Sequence, residues 1–104
     1  MEIAVHIVPP GGGEMQFTIP VSEDSFYRPI PGDFLNFRED GGLCAFYVLH
    51  VHHYYEKLDA TRYMAENIVI EAEPVILPDN IVAESHRKLC ESLNANRKYP
   101  GPGN

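Results

Sequence analysis

Ile3, Val5 and Ile7 alternate with Ala4 and His6, the period of two that predicts a β-strand. Pro9-Pro10-Gly11-Gly12-Gly13 ends it. Met15, Phe17, Ile19 and Val21 then alternate with Gln16, Thr18 and Pro20, which predicts a second strand returning across the Gly-rich loop as a hairpin. Pro20 donates no ladder hydrogen bond, so this strand belongs at a sheet edge or ends there. Residues 22–33, SEDSFYRPIPGD, read as a loop in which Pro29 and Pro31 hold Arg28 and Ile30 extended.

Residues 34–38 form a third strand. Glu39-Asp40-Gly41-Gly42 follows it, and Asp-Gly is a strong signal for a two-residue hairpin turn. The return strand is the longest, from Leu43 to about Tyr55. Residues 57–66 are ambiguous between a short helix capped by Asp59 and an irregular excursion. Residues 67–73 make a fifth strand stopped by Pro74, and Val75-Ile76-Leu77 is a candidate for one more. Asp79 caps a helix over about 80–96, where Val82, His86, Leu89, Cys90 and Leu93 share one stripe and Lys and Arg gather near the C-terminal end. The fold class is therefore mainly β with a C-terminal helix (α+β). It is a five-to-six-stranded antiparallel barrel or strongly bent sheet, with the helix packed on an open face. Residues 1–98 are expected to be a single compact domain, with a disordered tail over 99–104.

The turn at Asp40-Gly41 assigns the faces of the long strand. It pairs Phe37 with Cys44 and Leu35 with Phe46, which read as core. Continued alternation puts Val48, His50, His52 and Tyr54 on that side and Tyr47, Leu49, Val51 and His53 on the other. A bulge near Leu49 would reverse this assignment. Both sides begin apolar, so the strand is expected to be covered on both faces.

The candidate chemistry lies on this strand. His50-x-His52 places two imidazoles on one face, a geometry suited to a divalent metal such as zinc. With the fifth strand as antiparallel neighbour, His52 would face Glu71 and His50 would face Glu73. Such a pair could act as a metal site, an acid–base pair or a pH-sensitive clasp. His50-x-His52-x-x-x-Glu56 resembles the first metal-binding motif of the cupins, which runs Gly, His-x-His, three or four residues, Glu, Gly. That resemblance covers seven residues and implies His50, His52 and Glu56 as metal ligands, with Glu71 and Glu73 as alternative partners. The flanking glycines of the motif and its second half are absent.

Other catalytic patterns fail. No serine sits in a nucleophile elbow, and the Gly-rich loop lacks the Lys-Ser/Thr of a phosphate loop. Cys44 and Cys90 read as packed small apolar residues and do not suffice for a disulfide scaffold, although a single bridge between them is left open. Residues 1–84 carry fourteen acidic residues against Arg28, Arg38, Lys57 and Arg62, a net charge of −10. That repels phosphate, argues against direct nucleic-acid binding, and suits a basic protein partner or simple solubility. No stretch has the length and apolarity of a membrane span, and the opening MEIAVHIVPPGGG has no basic n-region, so the expectation is a cytoplasmic chain. Phe26, Tyr27 and Arg28 in the Pro-rich loop, with Tyr54, Tyr55 and Tyr63, are the candidate partner-binding residues. The expected function is a small non-enzymatic binding or regulatory module that engages a protein partner without a cofactor, with a homo-oligomer left open. The alternative is a small metal-binding protein or metal-dependent enzyme.

Overall fold

The computed structural model describes residues 2–23, 28–39, 41–78 and 80–95. Five strands and one helix follow in order: β1 (Glu2–Ile7), β2 (Phe17–Val21), β3 (Phe34–Glu39), β4 (Gly42–Lys57), β5 (Tyr63–Val75) and α1 (Glu84–Ser92). They form one sheet in the order β2-β1-β5-β4-β3, curled into a half-barrel with the helix packed against it. Three pairings are antiparallel and one, β1 with β5, is parallel. Pro20 lies on the edge strand β2, where its missing N–H leaves no ladder bond unmade.

The β3–β4 hairpin has the register expected of a two-residue turn, with Glu39 opposite Gly42, Phe37 opposite Cys44 and Leu35 opposite Phe46. Gly41 takes φ +78°, which glycine adopts without steric cost, while Asp40 lies outside the described residues. The main core gathers Ile3, Val5, Ile7, Cys44, Phe46, Val48, Ile68, Ile70, Ala72 and Ala83, with Leu35, Phe37 and Leu89 packed against it. A second, smaller cluster of Ala45, Val75 and Leu77, flanked by Phe34 and Tyr47, covers the opposite face of the start of β4. The first half of β4 is thus apolar on both sides because both sides are covered.

Several expected boundaries move, each for a physical reason. Strand β5 does not stop at Pro74 but runs through it, opposite Phe46. The β1 ladder has already ended at Ile7 and Ala72, so no neighbour on that side asks Pro74 for an N–H. Val75 closes β5 itself. Strand β5 also starts earlier than expected, at Tyr63, because residues 58–62 are neither helix nor irregular excursion. Leu58 N–H bonds the Arg62 carbonyl, and the Asp59 carboxylate accepts the N–H groups of Thr61 and Arg62, closing a hairpin loop.

The helix is shorter than 80–96. Residues 81–83 are extended, because Leu43 N–H donates to Ile81 O at 2.8 Å and Ala83 N–H donates to Leu43 O at 3.1 Å. Helix α1 therefore begins after Ala83 with no side-chain cap, and Asp79, the expected cap, lies outside the described residues. Asn94, at φ 54°, breaks the helix in the left-handed region, and Ala95 N–H reaches back to Cys90 O. Its last turn carries no basic residue, in contrast to the expectation. The expected stripe does face the sheet: His86 and Cys90 are buried, and Val82, Leu89 and Leu93 are half-buried. The tail over 99–104 lies outside the described residues.

Gly42 is where the 81–83 segment crosses the sheet. A Cβ on Gly42 would lie 2.5 Å from Ala83 N and 2.7 Å from Ala83 Cα. Those are backbone atoms that cannot rotate away. Gly42→Ala should therefore destabilise the fold by roughly 1–3 kcal/mol, the usual cost of overpacking, and loosen the start of α1. Chemical denaturation checks this; an unchanged midpoint would mean that residues 82–83 are not held against Gly42.

Candidate functional site

Strand β4 carries a one-residue irregularity between Val48 and His50, so that Leu49 has no partner on β5. Val48 opposes Ala72, and His50 then opposes Glu71. The alternation inverts at that point. Val51 and His53, opposite Ile70 and Ile68, take the core side, while His50 and His52 take the outer face. This corrects the placement of the two histidines at the mouth of the core: both are exposed. The register is corrected with it, since His50 faces Glu71 and Tyr47 faces Glu73.

The outer face brings together more than the long strand alone suggests. Glu71 is opposed by His50 on one side and by His6 of β1 on the other, and His6 is opposed by Thr18 of β2. His52 lies diagonal to this row, its Nε2 3.8 Å from a Glu71 carboxylate oxygen. That contact is beyond hydrogen-bond length and becomes an ion pair only when the imidazole is protonated. The His50 and His52 rings lie 6.1 Å apart between centroids. Glu73 has a different task. It is buried, and its carboxylate accepts the Gly11 N–H at 2.7 Å, which ties the Gly-rich loop to the outer face of β5. Glu56 does not join the histidines. Residues 50–56 lie in one strand, which puts Glu56 roughly 20 Å along from His50. Among the described residues no group of three or more His, Cys, Asp or Glu side chains converges as a metal site would require.

β3 pairs with β4 only up to Tyr47, and β1 pairs with β5 only from Asn67 onward. Beyond Val48, β4 is therefore an edge strand still backed by β5 and β1 as far as Tyr54, and residues 55–66 form a two-stranded arm past that point; residues 49–57 of β4 together span roughly 30 Å. The molecule measures 50 × 27 × 27 Å. Large apolar side chains cover the arm without being covered themselves: Tyr54 is 51% exposed, Tyr55 60%, Leu58 55%, Tyr63 66% and Met64 49%. By strand alternation Tyr55 and Tyr63 lie on one face and Tyr54 and Met64 on the other, with Leu58 at the tip. At that tip the Arg62 guanidinium beside Asp59, helped by the Thr61 N–H, holds the Asp59 carboxyl below the usual carboxylate range. Of the other candidate contact residues, Arg28 is exposed on its loop, and Phe26 and Tyr27 lie outside the described residues.

One further feature escaped the sequence reading. A cleft of about 540 Å³ opens between the curled sheet and α1, lined by Phe17, Ile19, Phe37, Phe46 and Leu89 with Glu39, Cys44, Ser85 and His86. Four of its polar side chains are held by hydrogen bonds. The Cys44 thiol and the Ser85 hydroxyl donate to Glu39, and His86 Nε2–H donates to the Val75 carbonyl at 3.0 Å. The pairing with a carbonyl assigns the proton to Nε2. No single periodic segment could have foretold a cleft assembled from β2, β3, β4 and α1.

Comparison with known family models, with curated proteins and with solved structures finds no match. Among the described residues no helix is long and apolar enough to cross a membrane.

The thiols generate a prediction. Cys44 and Cys90 are both free and buried, which answers the question of a bridge between them. Burial, reinforced at Cys44 by the Glu39 carboxylate, pushes each thiol up to about 11. Because the folded state favours the neutral thiol, this contribution to stability is present below about pH 9 and is lost as pH rises towards about 11. At about pH 8 the native chain should resist iodoacetamide, and both thiols should react after unfolding in guanidinium. Rapid labelling of either cysteine in the folded protein would contradict the burial described here.

Proposed function

We propose that this chain is a small non-enzymatic binding module that engages a protein partner through the β4–β5 arm. The observation that carries the reading is the exposure of Tyr54, Tyr55, Leu58, Tyr63 and Met64 together on one projecting ribbon. A two-stranded ribbon is marginal in water, and contiguous exposed apolar side chains mark interaction surfaces. Tyrosine suits that role, because it offers a large rigid contact area at small entropic cost. Residues 49–66 hold Glu56, Asp59 and Glu66 against Lys57 and Arg62, a net charge of −1, so the contact is aromatic and apolar rather than electrostatic. The acidity of the rest of the chain acts at longer range, keeping other surfaces apart and favouring a basic approach elsewhere.

The test is a pair of tyrosines. Tyr55 and Tyr63 share a face and touch no core, so Tyr55→Ser with Tyr63→Ser should leave the melting temperature within a few degrees of wild type. The same double variant, used as bait in a lysate of the source organism, should lose the proteins that the wild-type chain retains. Identical capture by both baits would remove the arm from the function.

A further inference from the structure

The outer edge of β4 is free from the end of the β3 ladder to the tip of the arm. Along the side of β4 that faces away from β5, the last backbone bonds join Val48 to Gly32 and Asp33. From Leu49 to Lys57 the described residues place no strand beside that edge. At the far end Leu58 N–H is taken by Arg62 O, within the turn. Nine consecutive residues of strand therefore run along that edge, bounded at one end by the 32–33 loop and at the other by the tip, and by strand alternation every second one presents backbone groups that no described residue takes.

We propose that this edge pairs antiparallel with the same edge of a second copy of the chain, about a two-fold axis at His53. The inference rests on the reading of the arm as the docking surface and names its partner. The bounds of the free edge set the register, because only pairing centred on its midpoint uses all nine residues. That register is self-complementary. His50 meets Glu56 of the second copy, Val51 meets Tyr55 and His52 meets Tyr54, while Leu49, at the bulge, ends the pairing opposite Lys57. From His50 on each pair stays on one face, as the pleat requires, so Val51 packs on the Tyr55 ring and an imidazole meets a carboxylate. A contact between identical patches about a two-fold axis closes on itself and leaves none of this β4 edge for a third copy. The near-balanced charge of residues 49–66 permits the approach where the acidic body would oppose it, and at ordinary ionic strength that body's repulsion is screened beyond about 10 Å.

His53→Cys tests the axis. In the paired state the two introduced cysteines face each other with Cα atoms about 4.5–5.5 Å apart, within disulfide reach, whereas Lys57→Cys places its two cysteines roughly 27 Å apart. Mild oxidation of the full chain should therefore give a covalent dimer with His53→Cys and leave Lys57→Cys uncrosslinked; equal crosslinking of the two overturns the register. Sedimentation equilibrium tests the charge pair. His50→Glu faces Glu56 of the second copy and should weaken the wild-type dimer about tenfold, and adding Glu56→Lys in the same chain should restore it. Failure of that restoration also counts against the register. A wild-type chain that stays monomeric up to its solubility limit overturns the second-copy proposal alone, since the docking arm then stands or falls with the tyrosine pull-down. A dimer that survives with unchanged affinity in Tyr55→Ser/Tyr63→Ser and in His50→Glu is held elsewhere and overturns it as well.

Discussion

The ladder between β4 and β5 is the interaction on which the rest of the structure depends. It is the longest pairing in the sheet; β1 and β3 attach directly to its two members, and β2 attaches through β1. One half of it lies in the body, where Val48, Phe46, Ile70 and Ala72 are essentially dry. Its far end, past Tyr54 and Asn67, projects as the arm. The change of character occurs at Leu49, whose unpaired backbone inverts the alternation of β4 relative to β5. That single residue decides which face holds the histidines. Without it His50 and His52 would point into the core, where each imidazole would need partners for both ring nitrogens. With it they stand beside Glu71 on the outer face, and Val51 seals the core in their place.

The same ladder explains how the covering segments are held. The Gly-rich loop is fastened by a buried carboxylate, Glu73, that accepts a backbone N–H. A charge removed from water is costly unless it is bonded, so this contact specifies where the loop must lie more than it adds stability. On the other side of the chain, Leu43 takes backbone bonds from residues 81–83 and so determines where α1 can begin. The absence of a side chain at Gly42 is what lets those two backbones meet. His86 then completes the seam, stacking edge-on against Phe46 at 5.0 Å and donating to the Val75 carbonyl.

Local signals in the sequence were sufficient where structure is local. The Asp-Gly turn set the β3–β4 register residue by residue, and the alternation of residues 3–7 and 17–21 located β1 and β2. Long-range pairing left no such trace. The parallel neighbour of β1 is β5, some 65 residues on, and nothing in either segment names the other. The start of the helix was misplaced because the extended course of residues 81–83 is imposed by Leu43, not by its own sequence. At the site, the Leu49 bulge was foreseeable as a hazard but not as a fact. Glu71 belongs with the histidines, as the sequence suggested; Glu73 and Glu56 do not. His6 joined the row only through the parallel strand.

The arm is also the part of the chain least able to stabilise itself. Its ladder has no third strand beyond Asn67, its side chains are in water, and the β5 limb carries a second irregularity at Glu66, between the pairs Tyr54–Asn67 and Tyr55–Ala65. An isolated ribbon of this kind opens locally at small free-energy cost, whereas the buried half of the same two strands opens only with the whole fold. The sequence nevertheless places five large apolar or aromatic residues from Tyr54 to Met64, where solubility alone would favour charge. Those residues destabilise nothing when exposed, because the body does not rely on them, and they lower the free energy only when something covers them. An arm that gains its order from being covered couples its own stability to occupancy. The cost of ordering it is then met at the moment of contact, which tunes the affinity without altering the body that carries it.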